Sequence, residues 1–311
     1  MESHICVSLL IAAYNAETYL NTCLSAVTAQ RLDGLEVVVV DDGSTDQTAR
    51  IAERWAEKDK RVRVLKLPHQ GVASTRQVAL NAALGDYFLF VDADDQIAPT
   101  MLQELYVKAT AEQADLVIAD YKELRHEGIL YRKQKPRSLS GMAILEDILD
   151  GRLYGALWNK LLRTEAVKAC GAHFSESLSM REDLVFLSQI LPHIGTVAYL
   201  PKALYGYERR NALSLTNNYL NESATYYQQE VLWNTLLLDN PALPERHQRQ
   251  RLAYLARLAY ITLNLFNCTE WQEAFSKYTL PLDGYRGWLV RIALHGHFGM
   301  ARSIRAVITH L

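Results

Sequence analysis

Asp92, Asp94 and Asp95 fall within four residues, directly after the apolar run 87–91. Like charges this close repel unless something positive sits beside them. A hard divalent cation is the natural partner. Mg²⁺ or Mn²⁺ held by one or two carboxylates keeps positions open for phosphate oxygens. A solvated loop, or a cap for a helix near Pro99, accounts for the same residues equally well. The glycine and distal glutamate of a calcium loop are missing. Asp41-Asp42-Gly43-Ser44 closes a second apolar run. A carboxylate at a strand end can accept hydrogen bonds from a base or ribose, although a plain turn is the simpler reading. Arg76 stands at a predicted helix start, where a guanidinium can meet a diphosphate, hold an aspartate or merely face solvent. Glu182-Asp183 precede the apolar residues 184–187. Such a pair can supply a general base, or simply complement a helix N-terminus. Trp158-Asn159-Lys160 and residues 205–210 join aromatic to polar groups, and aromatic faces stack on sugars or bases. Core packing competes with that role for Trp158. His69, His126, His173 and His193 have no ligand spacing and are read as structural.

The elements that must position these groups alternate between two periods. Residues 7–12, 35–40, 62–65, 87–91 and 114–119 read as strands, most of them apolar throughout, as in a parallel sheet. Residues 16–30, the stretch after Thr45-Asp46, residues 72–83 and the stretch after Pro99 read as helices. Strand and helix in turn predict an α/β domain, whose ligands sit beyond the carboxyl ends of the strands. Ala13-Tyr14-Asn15, Asp41-Asp42 and Asp92–Asp95 all fall at such ends, so one crevice is expected to gather them. Residues 120–215 are less regular, with short helices over 140–149, 164–170 and 183–191. Residues 220–311 read as helical.

The chain has 311 residues, 49% of them hydrophobic and 22% charged, an ordinary globular composition. Its net charge of −2 argues against nucleic-acid binding by bulk electrostatics. Residues 1–100 carry 14 Asp/Glu against 9 Lys/Arg, whereas residues 241–311 carry 4 against 9. Four scattered cysteines without a CxxC fit a reducing compartment better than a disulfide or zinc framework. The amino terminus lacks the pattern of a signal peptide, and no apolar run is long enough to predict a membrane span. Neither GxGxxG nor GxxxxGK[ST] occurs, which removes the dinucleotide-binding and P-loop readings.

Taken in order, these clusters resemble family 2 glycosyltransferases of the GT-A fold, of the kind that build bacterial cell-surface polysaccharides. The resemblance rests on residues 10–17, 39–46, 71–76 and 90–95, then Trp158-Asn159-Lys160, Glu182-Asp183 and Tyr205-Gly206-Tyr207, and covers roughly residues 5–215. It implies a Rossmann-like domain over 1–215, with a mostly parallel central sheet and flanking helices, followed by a helical region over 216–311. Residues 1–120 would form the nucleotide-sugar half and 121–215 the acceptor half.

The resemblance also implies roles. Ala12, Tyr14, Glu17, Asp42 and Arg76 would line the nucleotide pocket, with Tyr14 and Asp42 on base and ribose. Asp92, Ala93 and Asp94 would contact ribose and diphosphate, and Asp94 and Asp95 would hold Mn²⁺ or Mg²⁺. Asp183 would be the catalytic base of an inverting transfer, with Glu182 beside it. Trp158 and Lys160 would lie near donor or acceptor sugar, and Arg209 or Arg210 near the diphosphate. Ala12 stands where the family often has proline, and Gln77 where it often has asparagine. The donor would be a UDP-sugar and the acceptor a glycan or lipid-linked hydroxyl, in the cytoplasm or at the inner face of its membrane.

Residues 284–311 hold four arginines and no acid among apolar residues, a pattern suited to an anionic membrane surface or to packing in a helical subdomain. The apolar side of residues 249–266 is suited to a homodimer. A sugar-phosphate nucleotidyltransferase is disfavoured because Ala12-Ala13-Tyr14-Asn15 replaces its glycine-rich loop. A non-catalytic scaffold of a polysaccharide assembly is the alternative from another class.

Overall fold

The apolar runs of the first hundred residues form four parallel strands in the computed structural model, which describes residues 4–211 and 224–309. These are β1 (Val7–Ala13), β2 (Leu35–Asp41), β3 (Val62–Lys66) and β4 (Tyr87–Phe90). β1 lies between β2 and β4, and β3 flanks β2. All seven residues of β2 are buried, because helices cover both faces of the sheet. Successive side chains of a strand point to opposite faces. Leu9, Ile11, Val37 and Val39 therefore meet α1 (Leu20–Thr28), α2 (Thr48–Lys58) and α4 (Met101–Ala111). Leu10, Val38 and Val40 meet α3 (Val72–Ala82), α5 (Gly141–Leu149) and α7 (Glu182–Ile190) on the other side. Each such side chain contributes roughly 1.5–3 kcal/mol by leaving water.

The second half of the sheet is mixed. β5 (Gln96–Ile97), β6 (Leu116–Arg125), β7 (Gly128–Arg132), β8 (Lys160–Arg163) and β9 (Val197–Glu208) complete nine strands in the order β3-β2-β1-β4-β8-β6-β9-β5, with β7 beside β6. β8 runs antiparallel to β4 and β6, whereas β9 runs parallel to β6. The sequence reading missed β7, β8 and β9. β8 is only four residues long and begins with a lysine, and β9 carries Pro201 and Lys202 opposite a register shift at Asp120. The short helix α6 (Thr164–Ala169) follows β8.

One expected helix boundary moves. α1 begins at Leu20 rather than residue 16; the N–H of Ala16 donates to Thr48 Oγ1 at 2.7 Å and that of Glu17 to Asp46 Oδ2 at 3.1 Å. These bonds join the loops after β1 and β2. Gly43 has φ +70°, and a Cβ there would stand 2.6 Å from the His69 nitrogen, so the turn after β2 requires glycine.

The chain divides into two compact units, Met1–Ala212 and Leu213–Leu311. The expected boundary at 215/216 lies outside the described residues. The second unit contains α8 (Ala224–Leu238), α9 (Glu245–Thr262), α10 (Cys268–Phe275), α11 (Gly284–Ile292) and α12 (Phe298–Thr309). Leu255, Leu258 and Leu263 pack with Trp271, Phe275, Leu289, Val290 and Phe298. The apolar side of residues 249–266 is thus covered by its own unit. The described part of the basic stretch, residues 284–309, is likewise two helices, separated by a kink at His295 and Gly296, where Gly296 has φ +91°. Its Leu289, Val290, Ala293 and Ala301 are core residues, while Tyr285 and Trp288 are each half exposed. Among the described residues no helix is long and apolar enough to cross a membrane.

Candidate active site

The parallel register sets Ala13 beside Asp41 and Leu10 beside Phe90, so the polar segments after β1, β2 and β4 leave the sheet on one edge. After β1, Tyr14 is 47% exposed and stacks on His69, with ring centroids 4.1 Å apart and planes 21° from parallel. His69 also reaches Asp42, its Nδ1 lying 2.9 Å from Oδ2. Tyr14 and His69 form an aromatic ledge at the mouth of the crevice. His69 had no signal in its spacing; only the parallel pairing of β2 and β3 brings the turn 67–71 against the end of β2.

Asp42 is buried, and its carboxylate accepts the N–H groups of Gln70 at 2.8 Å and Gly71 at 3.0 Å. It therefore ties the end of β2 to the start of α3. Glu17 accepts the N–H of Gln47 at 2.9 Å, next to the start of α2. Ala12 is half-buried in β1 and Ala93 is part of the core. Gln77 accepts the N–H of Phe174 at 2.9 Å.

Arg76 is the hub of the crevice. It projects from α3, almost fully buried. Its Nη2 donates to Asp92 Oδ1 at 2.9 Å, and its Nη1 donates to both Glu182 and Asp183. Burial opposes the guanidinium charge, but Asp183, Glu182 and Asp92 together hold it protonated. Residues separated by more than a hundred positions thus share one cation. Arg181, just before α7, has φ +63°, a left-handed conformation uncommon outside glycine and found often at functional sites.

Asp183 is held on its other side by the N–H of Leu157, 3.3 Å from Oδ2. Burial pushes this carboxyl up to about 7; Arg76 works against that rise, and Glu182 and Asp92 add to it. A carboxyl with that value beside a crevice is poised to accept a proton near neutrality.

The three aspartates after β4 have separate fates. Asp92 is the partner of Arg76. Asp95 is buried, accepting the N–H of Glu208 at 2.7 Å and the hydroxyl of Tyr205, and so fastens β9 to the end of β4. Asp94 is half-buried and accepts from Asn211 Nδ2 at 2.8 Å. Burial first, then the charge of Asp92, raises its carboxyl above the ordinary value. Among the described residues no group of three or more His, Cys, Asp or Glu is arranged to hold a metal by itself. The donor set nevertheless fits a cation that draws most of its ligands from phosphate and water. Asp94 has no cationic partner among the described residues.

The aromatic residues of the second half cluster beside this crevice. Trp158 is only 2% exposed and stacks on Tyr205 at 4.5 Å, with the edge of Tyr121 at 4.7 Å. Its face is covered and unavailable to a sugar. The ring offered to solvent is Tyr154, 38% exposed and 6.1 Å from Tyr207. Arg209 lies over Tyr207, whereas Arg210, itself exposed, is paired with the buried Glu208 at the end of β9. Of the two arginines, Arg209 is the one left without a carboxylate partner among the described residues. Lys160 is buried with its ammonium turned inward.

Comparisons with known proteins identify a family and a fold. The family described as glycosyl transferase family 2 matches residues 8–171. The uncharacterized glycosyltransferase EpsJ of Bacillus subtilis is 30% identical over 216 residues, 68% of this chain and 62% of that protein. The poly(ribitol-phosphate) beta-N-acetylglucosaminyltransferase TarS of Staphylococcus aureus is 29% identical over 252 residues, 79% of this chain and 43% of that protein. The chain thus spans less than two thirds of either relative. Residues 1–349 of TarS in complex with UDP-GlcNAc superpose with a TM-score of 0.67 at 23% identity, covering 98% of this chain and 92% of that one. The Pyrobaculum calidifontis mannosyltransferase in complex with GDP-Man and Mn²⁺ superposes with a TM-score of 0.56 at 17% identity, covering 98% and 85%. Both share the fold: a Rossmann-like sheet with flanking helices and a helical region after it.

Proposed function

This chain belongs to glycosyl transferase family 2, and on that footing we propose that it transfers a sugar from a UDP-sugar to a hydroxyl of a glycan or lipid-linked acceptor in the synthesis of a cell-surface polysaccharide. The observation that carries the reading is the convergence of Arg76, Asp92, Glu182 and Asp183 at the carboxyl ends of the parallel strands. TarS, named for N-acetylglucosaminyl transfer to poly(ribitol-phosphate), supports the choice of donor and of a surface-polymer acceptor.

In this reading Tyr14 and His69 stack on the base, at the ledge they form beside Asp42. Asp92 and Asp94 face the ribose and diphosphate. A divalent cation, held by Asp94 with Asp95 behind it, would supply positive charge to the diphosphate, as Mn²⁺ accompanies GDP-Man in the Pyrobaculum enzyme. Arg209 lies on the acceptor side with Tyr154 and Tyr207.

Asp183 accepts the proton of the acceptor hydroxyl. The hydroxyl oxygen forms its bond to the anomeric carbon from the face opposite the leaving group. The bond from that carbon to the diphosphate oxygen breaks, and its electron pair leaves with the nucleoside diphosphate. One displacement inverts the anomeric configuration. Arg76 keeps Asp183 and Glu182 together while the base is anionic.

The test is UDP release from UDP-sugars with and without acceptor glycans, for wild type and Asp183→Asn. Turnover that Asp183→Asn abolishes supports the reading; turnover equal in both proteins contradicts the assignment of the base. A folded protein that binds no nucleotide contradicts the whole reading and favours the scaffold.

The exposed Tyr285 and Trp288, beside Arg286 and Arg291 on α11, are proposed to rest on an anionic membrane surface at the cytoplasmic face. Deleting residues 284–311 would remove Leu289, Val290 and Phe298 from the core of the helical unit. Flotation with phosphatidylglycerol vesicles is therefore better compared between wild type and Trp288→Ser. Equal flotation of both would contradict the contact.

A further inference from the structure

Lys160 was expected to meet a sugar, yet its Nζ is buried and fully bonded within its own loop. The ammonium donates to the carbonyl of Tyr154 at 2.8 Å, the carbonyl of Ala156 at 2.6 Å and Asn159 Oδ1 at 2.8 Å. An ammonium has three protons, and each is used. All three acceptors belong to the loop 154–159, which enters β8. Asn159 is anchored in turn: its Nδ2 donates to the carbonyl of Ala119 at 2.9 Å, and its own carbonyl accepts the N–H of Ala119 at 3.0 Å. The loop presents Leu157 N–H to Asp183 on one side and the Tyr154 ring to solvent on the other.

Burying a lysine is costly unless its charge is compensated and its protons are all bonded. A neutral hydrophobe would fill the volume of a core site at less cost. The cation here folds a loop around itself, and that loop touches the candidate base.

We propose that Lys160 is a positioning residue: by gathering the carbonyls of Tyr154 and Ala156 and the side chain of Asn159, it fixes the turn from which Leu157 N–H holds Asp183. Trp158-Asn159-Lys160 is then one device, with Asn159 anchoring the turn to β6, Trp158 packing it against Tyr205 and Lys160 closing it. The groups that face Asp183 are Arg76 from α3, Glu182 beside it on α7, Asp92 after β4, Leu157 N–H from the loop and the Lys160 charge behind that loop. The carboxylate of Asp183 sustains the Lys160 charge against burial, which lowers this amine to about 7. Base and loop therefore stabilise one another. The assignment of Asp183 as the base rests on the proposed function, but its coupling to Lys160 can be read without turnover.

The experiment follows the side-chain carboxyl of Asp183 by carbon NMR across pH 4–9 in protein labelled at aspartate, its signal identified by its loss in Asp183→Asn. Wild type is compared with Lys160→Met, which keeps length without donors, and with Lys160→Arg, which restores the charge. Lys160→Gln replaces the methionine variant if that protein is insoluble. Loss of the cation and of the Leu157 hydrogen bond is expected to move the Asp183 midpoint upward by about one pH unit, since both favour the anion. Lys160→Arg is expected to recover part of the shift. UDP release measured below the midpoint is expected to fall about tenfold in Lys160→Met, following the lost anion, with UDP affinity within about twofold of wild type. An unmoved midpoint in a folded Lys160→Met protein overturns the proposal, even if turnover falls. A moved midpoint in a protein that turns over no UDP-sugar upholds the coupling and overturns only the proposed function.

Discussion

The two acidic strand ends of this molecule have similar sequences and different physics. After β2, Asp42 is surrounded by backbone donors: the N–H groups of Gln70 and Gly71 neutralise its oxygens, and His69 stands against it. After β4 and at the start of α7, carboxylates face one another across a single guanidinium. Asp94 and Asp183 are both raised by burial and by neighbouring carboxylates. A carboxylate that meets N–H donors is part of the fold. One that meets other carboxylates in a half-dry crevice holds negative potential that a ligand cation or a proton can relieve. On the proposed function, the comparison separates residues that shape the donor site from residues that act in it.

Substitutions on either side of that line should behave differently. The largest effect is expected at Asp183. Asp183→Asn should lower transfer by about 10²–10⁴, the usual contribution of a general base, and leave UDP affinity within about twofold. UDP release together with calorimetry measures both. Arg76→Met comes next. Removing the guanidinium shared by Asp92, Glu182 and Asp183 should destabilise the fold by about 3–5 kcal/mol, the cost of leaving buried charge unpaired. Its melting temperature should recover as pH falls from 8 to 5.5. The sign follows because carboxyls raised in the folded state bind protons that the unfolded chain does not, so stability is gained below their folded values and lost above them. A melting temperature as low at pH 5.5 as at pH 8 would contradict the shared-cation account.

Asp42→Asn should lie lower on the scale. It replaces one acceptor oxygen with an amide and leaves a buried N–H of Gln70 or Gly71 poorly satisfied, at about 1–3 kcal/mol. Chemical denaturation measures it, and the metal dependence of UDP binding should be unchanged. The mildest expectation concerns pH. In wild type, kcat/KM should rise with pH through about 7, as Asp183 loses its proton. A pH-independent rate between 5.5 and 8.5 would mean that another group carries the proton.

Much of this was legible in the residues. The β-branched run that became β2, and the polar clusters at three strand ends, follow from periodicity and from the rule that ligands gather at carboxyl ends. That Arg76 would hold an aspartate was one of its sequence readings; that it would hold three carboxylates from separate elements was not, because sequence spacing carries no distance across a sheet. Asn211 gave no signal at all, since it reaches Asp94 only through the bent course of β9. Trp158 and Lys160 were expected near a sugar, yet both side chains are buried. Aromatic and cationic types suit a sugar, and also suit a core; only the stack on Tyr205 and the three inward hydrogen bonds distinguish the two. The basic stretch 284–311 has the same ambiguity, resolved for Leu289 and Val290 by the helices that cover them.

The most direct measurement is calorimetric titration of UDP and UDP-GlcNAc, with Mn²⁺ and with chelator, into wild type, Asp94→Asn and Asp42→Asn. Metal-dependent binding that Asp94→Asn weakens by tenfold or more, and that Asp42→Asn retains in its metal dependence, is the result this account predicts. Nucleotide binding that is indifferent to metal and to Asp94, or no binding by any of the folded proteins, would contradict it.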